Sequence, residues 1–268
     1  MSICRIRTHL KCLLFWALMT VLICSMQRDV VADVSIKVVL PNTTACHSLT
    51  GRLYVFVSQR PSFEPRFGPD FFTPEPFFAC DIAKWQPGET VIVDDRTDHF
   101  PVPLSELPEG RYRVQAILDH QNDVAHHAFG VGNLFSDVQE LSFEKNPPST
   151  WELVLDRDVK PQTLPDRKWI HSVVIESRLL SQFHGRQVNN HAVVILPANY
   201  EQECGKCYPV IYYIGGFGSH LEPMALEYAD RPPVAQEGET EFIRVLLTGQ
   251  CQWGHHVYAN SANTGPRG

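Results

Sequence analysis

Between residues 34 and 157, apolar residues recur at alternate positions in short runs separated by Pro, Gly and Asn. VSIKVVL (34–40), GRLYVFVS (51–58), ETVIVDD (89–95), GRYRVQAILD (110–119) and STWELVLD (149–156) each alternate or run apolar, which predicts strands turning one face to a core. Short strands with turn residues between them predict an immunoglobulin-like β-sandwich over 33–160.

Two stretches break that rhythm. RPSFEPRFGPDFFTPEPFFACD (60–81) holds five prolines and six phenylalanines in 22 residues, a composition that excludes a helix and a central strand yet is too apolar for a solvated linker. An ordered loop covering the sandwich core is the expectation; an aromatic ligand platform or a lid over the next domain is the alternative. LDHQNDVAHHAFGVGNLFSD (118–137) carries His120, His126 and His127 near Asp119 and Asp123, and scattered His and Asp in a polar loop are expected to be solvated rather than to hold a metal.

A boundary falls near DVKPQTLPDR (158–167), and the pattern beyond it changes. WIHSVVIES (169–177), QVNNHAVVILP (187–197), YPVIYYIGG (208–216) and EFIRVLLTG (241–249) predict four more strands over 168–268. The last two are nearly all apolar, as strands buried on both faces of a parallel sheet are. Between them, 221–239 offers little helix that survives its prolines.

At the start, Arg5, Arg7 and Lys11 precede a 13-residue apolar run (12–24), and Val30-Val31-Ala32 supplies small residues for cleavage. This predicts a secretory signal peptide over 1–32; a membrane span needs about 20 apolar residues. Without it the chain carries 23 − 4 = 19 basic and 30 − 1 = 29 acidic residues, a net of −10. So acidic a chain, with no Lys/Arg run, is a poor partner for nucleic acid or an anionic membrane.

Export permits disulfides among Cys46, Cys80, Cys204, Cys207 and Cys251, an odd number. Cys46 and Cys80 share the strand-rich region and are a candidate pair, although spacing does not decide pairing. Cys204-Gly-Lys-Cys207 reads as a local clip across a turn, with thiol redox chemistry or half a zinc site as alternatives.

The order VVIESRLL, GRQVNNHAVVILPANY, KCYPVIYYIGGFGSH resembles the opening of the esterase D and enterochelin-esterase-like branch of the α/β-hydrolases, and NSANTGPRG (260–268) resembles the polar loop these proteins carry before their next helix. The resemblance spans about 169–268, and it implies an incomplete α/β-hydrolase sheet after the sandwich. It further implies an oxyanion-hole loop at Gly216, Phe217 and Gly218, with the Phe217 N–H as donor. Gly215 departs from the pattern, in which a His commonly precedes the first loop glycine.

In that fold the nucleophile sits in G-x-S-x-G. No Ser or Cys of this sequence stands in that setting: Phe217 lies two before Ser219, Ala259 two before Ser261, and Trp253 two after Cys251. No catalytic residue is therefore assigned, and the chain reads as the front portion of a hydrolase. His255, His256 and Ser261, after the last buried strand, are pocket candidates. No cofactor or metal is expected, and a small-molecule or carbohydrate ester is the implied partner of a completed site. Two function classes follow: a secreted carboxylic-ester hydrolase by descent, inactive as this chain, or a non-catalytic secreted β-sandwich module with a residual hydrolase-like tail.

Overall fold

A computed structural model of the protein describes residues 34–43, 47–70, 72–121, 123–144, 150–203, 205–256 and 258–267. The expected signal segment, Cys46 and Cys204 lie outside the described residues. The protein is β-rich, with its strands distributed over several sheets.

The first ten strands are β1 (Ser35–Val39), β2 (Leu49–Ser58), β3 (Phe77–Trp85), β4 (Thr90–Val93), β5 (Asp98–Phe100), β6 (Gly110–Asp119), β7 (Leu134–Phe135), β8 (Gln139–Phe143), β9 (Thr150–Val154) and β10 (Arg157–Asp158). One sheet runs β4-β1-β9, with β1 antiparallel to β4 and parallel to β9. The other runs β10-β7-β6-β2-β3-β5, and β8 pairs with β6.

Period-two alternation explains how these sheets meet. Ile36 and Val38 of β1 and Trp151 and Leu153 of β9 point inward, and Leu53, Val55 and Val57 of β2 and Val114, Ala116 and Leu118 of β6 meet them in one core cluster. Each fully buried aliphatic chain contributes roughly 1.5–3 kcal/mol.

The outer face of β2 and β6 is also covered, by the two stretches that broke the alternation. Gln115 is buried; its Oε1 accepts the Arg66 N–H at 3.0 Å and its Nε2 donates to Ser136 O at 2.9 Å. His127, expected to be solvated, is buried instead, stacked on Tyr54 and Phe56 at 5.0 and 4.9 Å. Its Nε2–H donates to Arg66 O at 2.8 Å, and burial, with His126 adjacent, lowers its pKa to about 3.

The Pro-rich stretch needs a second correction. Its last residues belong to β3, an interior strand between β2 and β5, because the prolines stop at Pro76 and leave every later N–H free for the ladder. Pro65–Phe67 forms a 3-10 turn, so the exclusion of helix holds only for longer ones. Phe78 is fully buried, whereas Phe72 at the loop tip is 88% exposed. Cys80 on β3 stands as a half-buried free thiol.

After Asp158 come β11 (Ile170–Glu176), α1 (Arg178–His184), β12 (Asn189–Ile195), β13 (Val210–Ile214), α2 (Leu221–Leu226), β14 (Ile243–Leu247), β15 (Gln250–Cys251) and β16 (Gly254–His255). Ser177 caps α1 by accepting the Leu180 N–H, and Gly185 ends it at φ 64, a left-handed position that suits glycine. The sheet order is β11-β12-β14-β13: antiparallel at the first two joints, parallel at the last. Leu221 and Ala225 of α2 pack on one face with Val193, Ile195 and Leu246.

Burial of this sheet is less than expected. All five residues of β13 are exposed, Tyr212 by 66%, and of β14 only Leu246 is buried. β13 is an edge strand, and among the described residues α2 is the one helix packed against this part of the sheet, so the apolar run is not enclosed on both faces.

Candidate functional site

β13 runs straight into the glycine loop. Gly216 O accepts the Ser219 N–H at 3.1 Å, closing a four-residue turn whose third position, Gly218, has φ 77. A turn with positive φ at that position requires glycine. The Ser219 hydroxyl donates to the same carbonyl at 2.7 Å. With the Gly216 carbonyl held inward, the planar trans peptide directs the Phe217 N–H outward. Neither that N–H nor the Gly218 N–H has a partner among the described residues.

Ser219 also accounts for Gly215. A Cβ there would overlap Ser219 Oγ and lie 2.7 Å from Ser219 Cβ and 3.0 Å from Met224 Sδ. No side chain fits while Ser219 holds its place, which is a physical reason for glycine where the resembled pattern carries His. Gln250 Nε2 ties the loop to β15 by donating to Ser219 O at 2.6 Å.

The chain following the loop opens onto a cleft of about 840 Å3. His220 and Leu221 form one wall and Phe67, Phe129 and Val131 the facing one, while β12 and the β15–β16 hairpin contribute His191, Gln250 and Trp253. The walls touch where the Phe129 ring meets His220 at 3.9 Å, and Arg186 pairs with Asp123 at 2.8 Å across the same junction. Burial lowers the pKa of His220, and Glu222 opposes that shift. A cleft of this size, with polar and charged side chains over most of its lining and aromatic surface from Phe67, Phe129 and Trp253, suits a small polar organic molecule.

The three pocket candidates lie elsewhere: His255, His256 and Ser261 are not among the residues lining the cleft. His256 is 5% exposed, and its Nδ1 accepts the Tyr258 N–H at 2.9 Å, which puts the ring proton on Nε2, a buried atom without a partner among the described residues. Burial, with Arg267 nearby, lowers its pKa to about 4, so the ring is neutral at neutral pH. His255 fills the space over Gly249 that a Cβ would need. Ser261 Oγ bonds Thr264 Oγ1 at 2.6 Å and accepts the Thr264 N–H at 2.9 Å, a local turn. It bonds no histidine, so these residues form no nucleophile–base pair.

Among the described residues no group of three or more His, Cys, Asp or Glu is placed to hold a metal ion, and no helix is long and apolar enough to cross a membrane. Residues that sequence reasoning did not single out, Ser219, Gln250, Phe129 and Arg267, shape the loop and the cleft. Only Ser219 left a signal, a hydroxyl three residues after a loop glycine. No family model and no curated protein matches the chain significantly.

Proposed function

We propose that 168–268 form the opening of an esterase D-like α/β-hydrolase sheet, that 33–160 form an immunoglobulin-like sandwich beside it, and that the protein is exported and descends from a carboxylic-ester hydrolase. One observation carries this reading. The strand order β11-β12-β14-β13, antiparallel, antiparallel, then parallel, delivers its last strand into a glycine loop with two unpartnered N–H groups beside a cleft. An oxyanion hole uses that type of donor at the loop after the third strand of this sheet. The resemblance of ILPANY and YPVIYYIGGFG to the family's strands supports the same assignment.

This chain by itself binds the ester group without hydrolysing it. Ser261 is engaged by Thr264 and His256 by Tyr258, and no G-x-S-x-G occurs in the sequence. A hole without its triad retains at most a residual rate, on the order of 10³–10⁴ over water, far below the turnover of the complete arrangement. The test is titration with a methylphosphonate monoester, a tetrahedral oxyanion mimic, read at the Phe217 and Gly218 amide resonances. Shifts concentrated there are expected, together with no enzymatic turnover of a short-chain aryl ester. Silence at both amides refutes the oxyanion loop; turnover lost in Ser261→Ala or His256→Ala refutes inactivity.

A further inference from the structure

Four Lys and Arg side chains line the cleft, and three already have an acid. Arg66 pairs with Glu64 at 2.6 Å, Lys160 with Asp158 at 2.6 Å and Arg186 with Asp123 at 2.8 Å. Arg267 is the exception. Its Nε–H donates to Thr264 O at 3.2 Å and its backbone N–H to Asn260 Oδ1 at 2.7 Å, but among the described residues no carboxylate oxygen lies within 4.0 Å of its guanidinium. The remaining acid of the cleft, Glu222, stands near His220. Arg267 is half-buried beside Cys251 and Tyr258. A guanidinium cannot shed its charge, and burying one without a counter-ion is unfavourable.

From this arrangement we propose that the cleft binds a small organic monocarboxylate. Its carboxylate sits on the terminal N–H groups of Arg267, and its apolar body lies against the aromatic walls. One cation unpaired among the described residues calls for one negative charge, and a planar fork of donors matches a carboxylate in two parallel hydrogen bonds. Phe67, Phe129, Val131 and Trp253 supply apolar surface for the rest of the ligand. The site shares its cleft with the ester-hydrolase reading but does not depend on it, since it uses neither the glycine loop nor turnover.

Benzoate is the probe and benzamide its uncharged counterpart, titrated into the full chain by calorimetry in low-chloride buffer. Benzoate binding at least tenfold tighter than benzamide is expected, with a tenfold or greater loss in Arg267→Met and less than twofold change in Lys160→Met. Equal affinity for the two probes, unchanged benzoate binding in Arg267→Met, or no benzoate binding at all overturns the proposal. So does tighter binding of inorganic phosphate than of benzoate. Should Arg267→Met fail to fold, the Arg267 Nε–H resonance of the wild type decides. It must move with benzoate and stay with benzamide, and its failure to do so overturns the site whatever the Phe217 amide does with a phosphonate.

Discussion

Gly215→Ala tests how the glycine loop is held. Gly215 does not have a positive φ, so alanine meets no backbone strain there and the cost is steric. The new methyl would overlap Ser219 Oγ and stand 2.7 Å from Ser219 Cβ. Overpacking of this kind costs about 1–3 kcal/mol, and swinging the hydroxyl away sacrifices its bond to Gly216 O, worth about 0.5–1.5 kcal/mol. The stiffer unfolded chain returns about 0.4–1 kcal/mol, leaving a net loss of roughly 0.5–4 kcal/mol. Ser219→Gly removes both obstructing atoms and leaves Met224 Sδ at 3.0 Å, the mobile end of a flexible side chain. The double variant should therefore be less destabilised than the sum of the two singles, by about 1–2 kcal/mol. Urea unfolding followed by Trp169 fluorescence, on the segment entering β11, measures each value. Additive effects, or a Gly215→Ala protein as stable as the wild type, refute the claim that Ser219 excludes a side chain at 215.

Acid should weaken the protein through His127. Its folded pKa of about 3 lies below the ordinary 6.5, so between those values the unfolded chain binds more protons and stability rises with pH. The contribution is complete above about pH 6.5 and is lost as pH falls toward 3, by up to about 1.4 kcal/mol per pH unit. His127→Gln should flatten that slope in chemical unfolding between pH 4 and 6.5. Leu153→Ala, at a fully buried core position, should cost about 2–5 kcal/mol in urea unfolding. Limited chymotryptic digestion should cut at Phe72 well before Phe63, Phe67, Phe77 or Phe78, since only Phe72 among them is fully open. The protein should self-associate through the exposed edge of β13, and Tyr212→Lys should shift sedimentation toward the monomer.

Period-two alternation was enough to locate β1, β2, β4, β6 and β9, and β6 coincides with its expected span at 110–119. β3 escaped because five prolines precede it, although Pro76 serves the sheet by accepting the Val57 N–H at 2.9 Å. The strands of the second sheet were legible; a parallel sheet was expected for β13 and β14, but on the ground of two-faced burial, which they do not have. How little of β13 is covered was not legible, since burial depends on what else packs there and a run of apolar residues reads the same either way. The glycine loop announced itself by composition. Arg267 did not, because an unpaired cation becomes visible only once Glu64, Asp158 and Asp123 have been assigned to the other three.

The placement of β14 between β12 and β13 also sets an order of events during synthesis. β13 ends at Ile214 and the strand that holds it begins at Ile243, so 243 − 214 − 1 = 28 residues separate them. A ribosome adding about 5–20 residues per second needs roughly 1.5–6 s to cover that interval. Throughout it, Val-Ile-Tyr-Tyr-Ile has no neighbour in the sheet, because β12 pairs with β14 and not with β13. The segment reaches its place only when β14 arrives to bridge the gap, so the order of synthesis leaves this apolar stretch without its sheet neighbour until residue 247 is made.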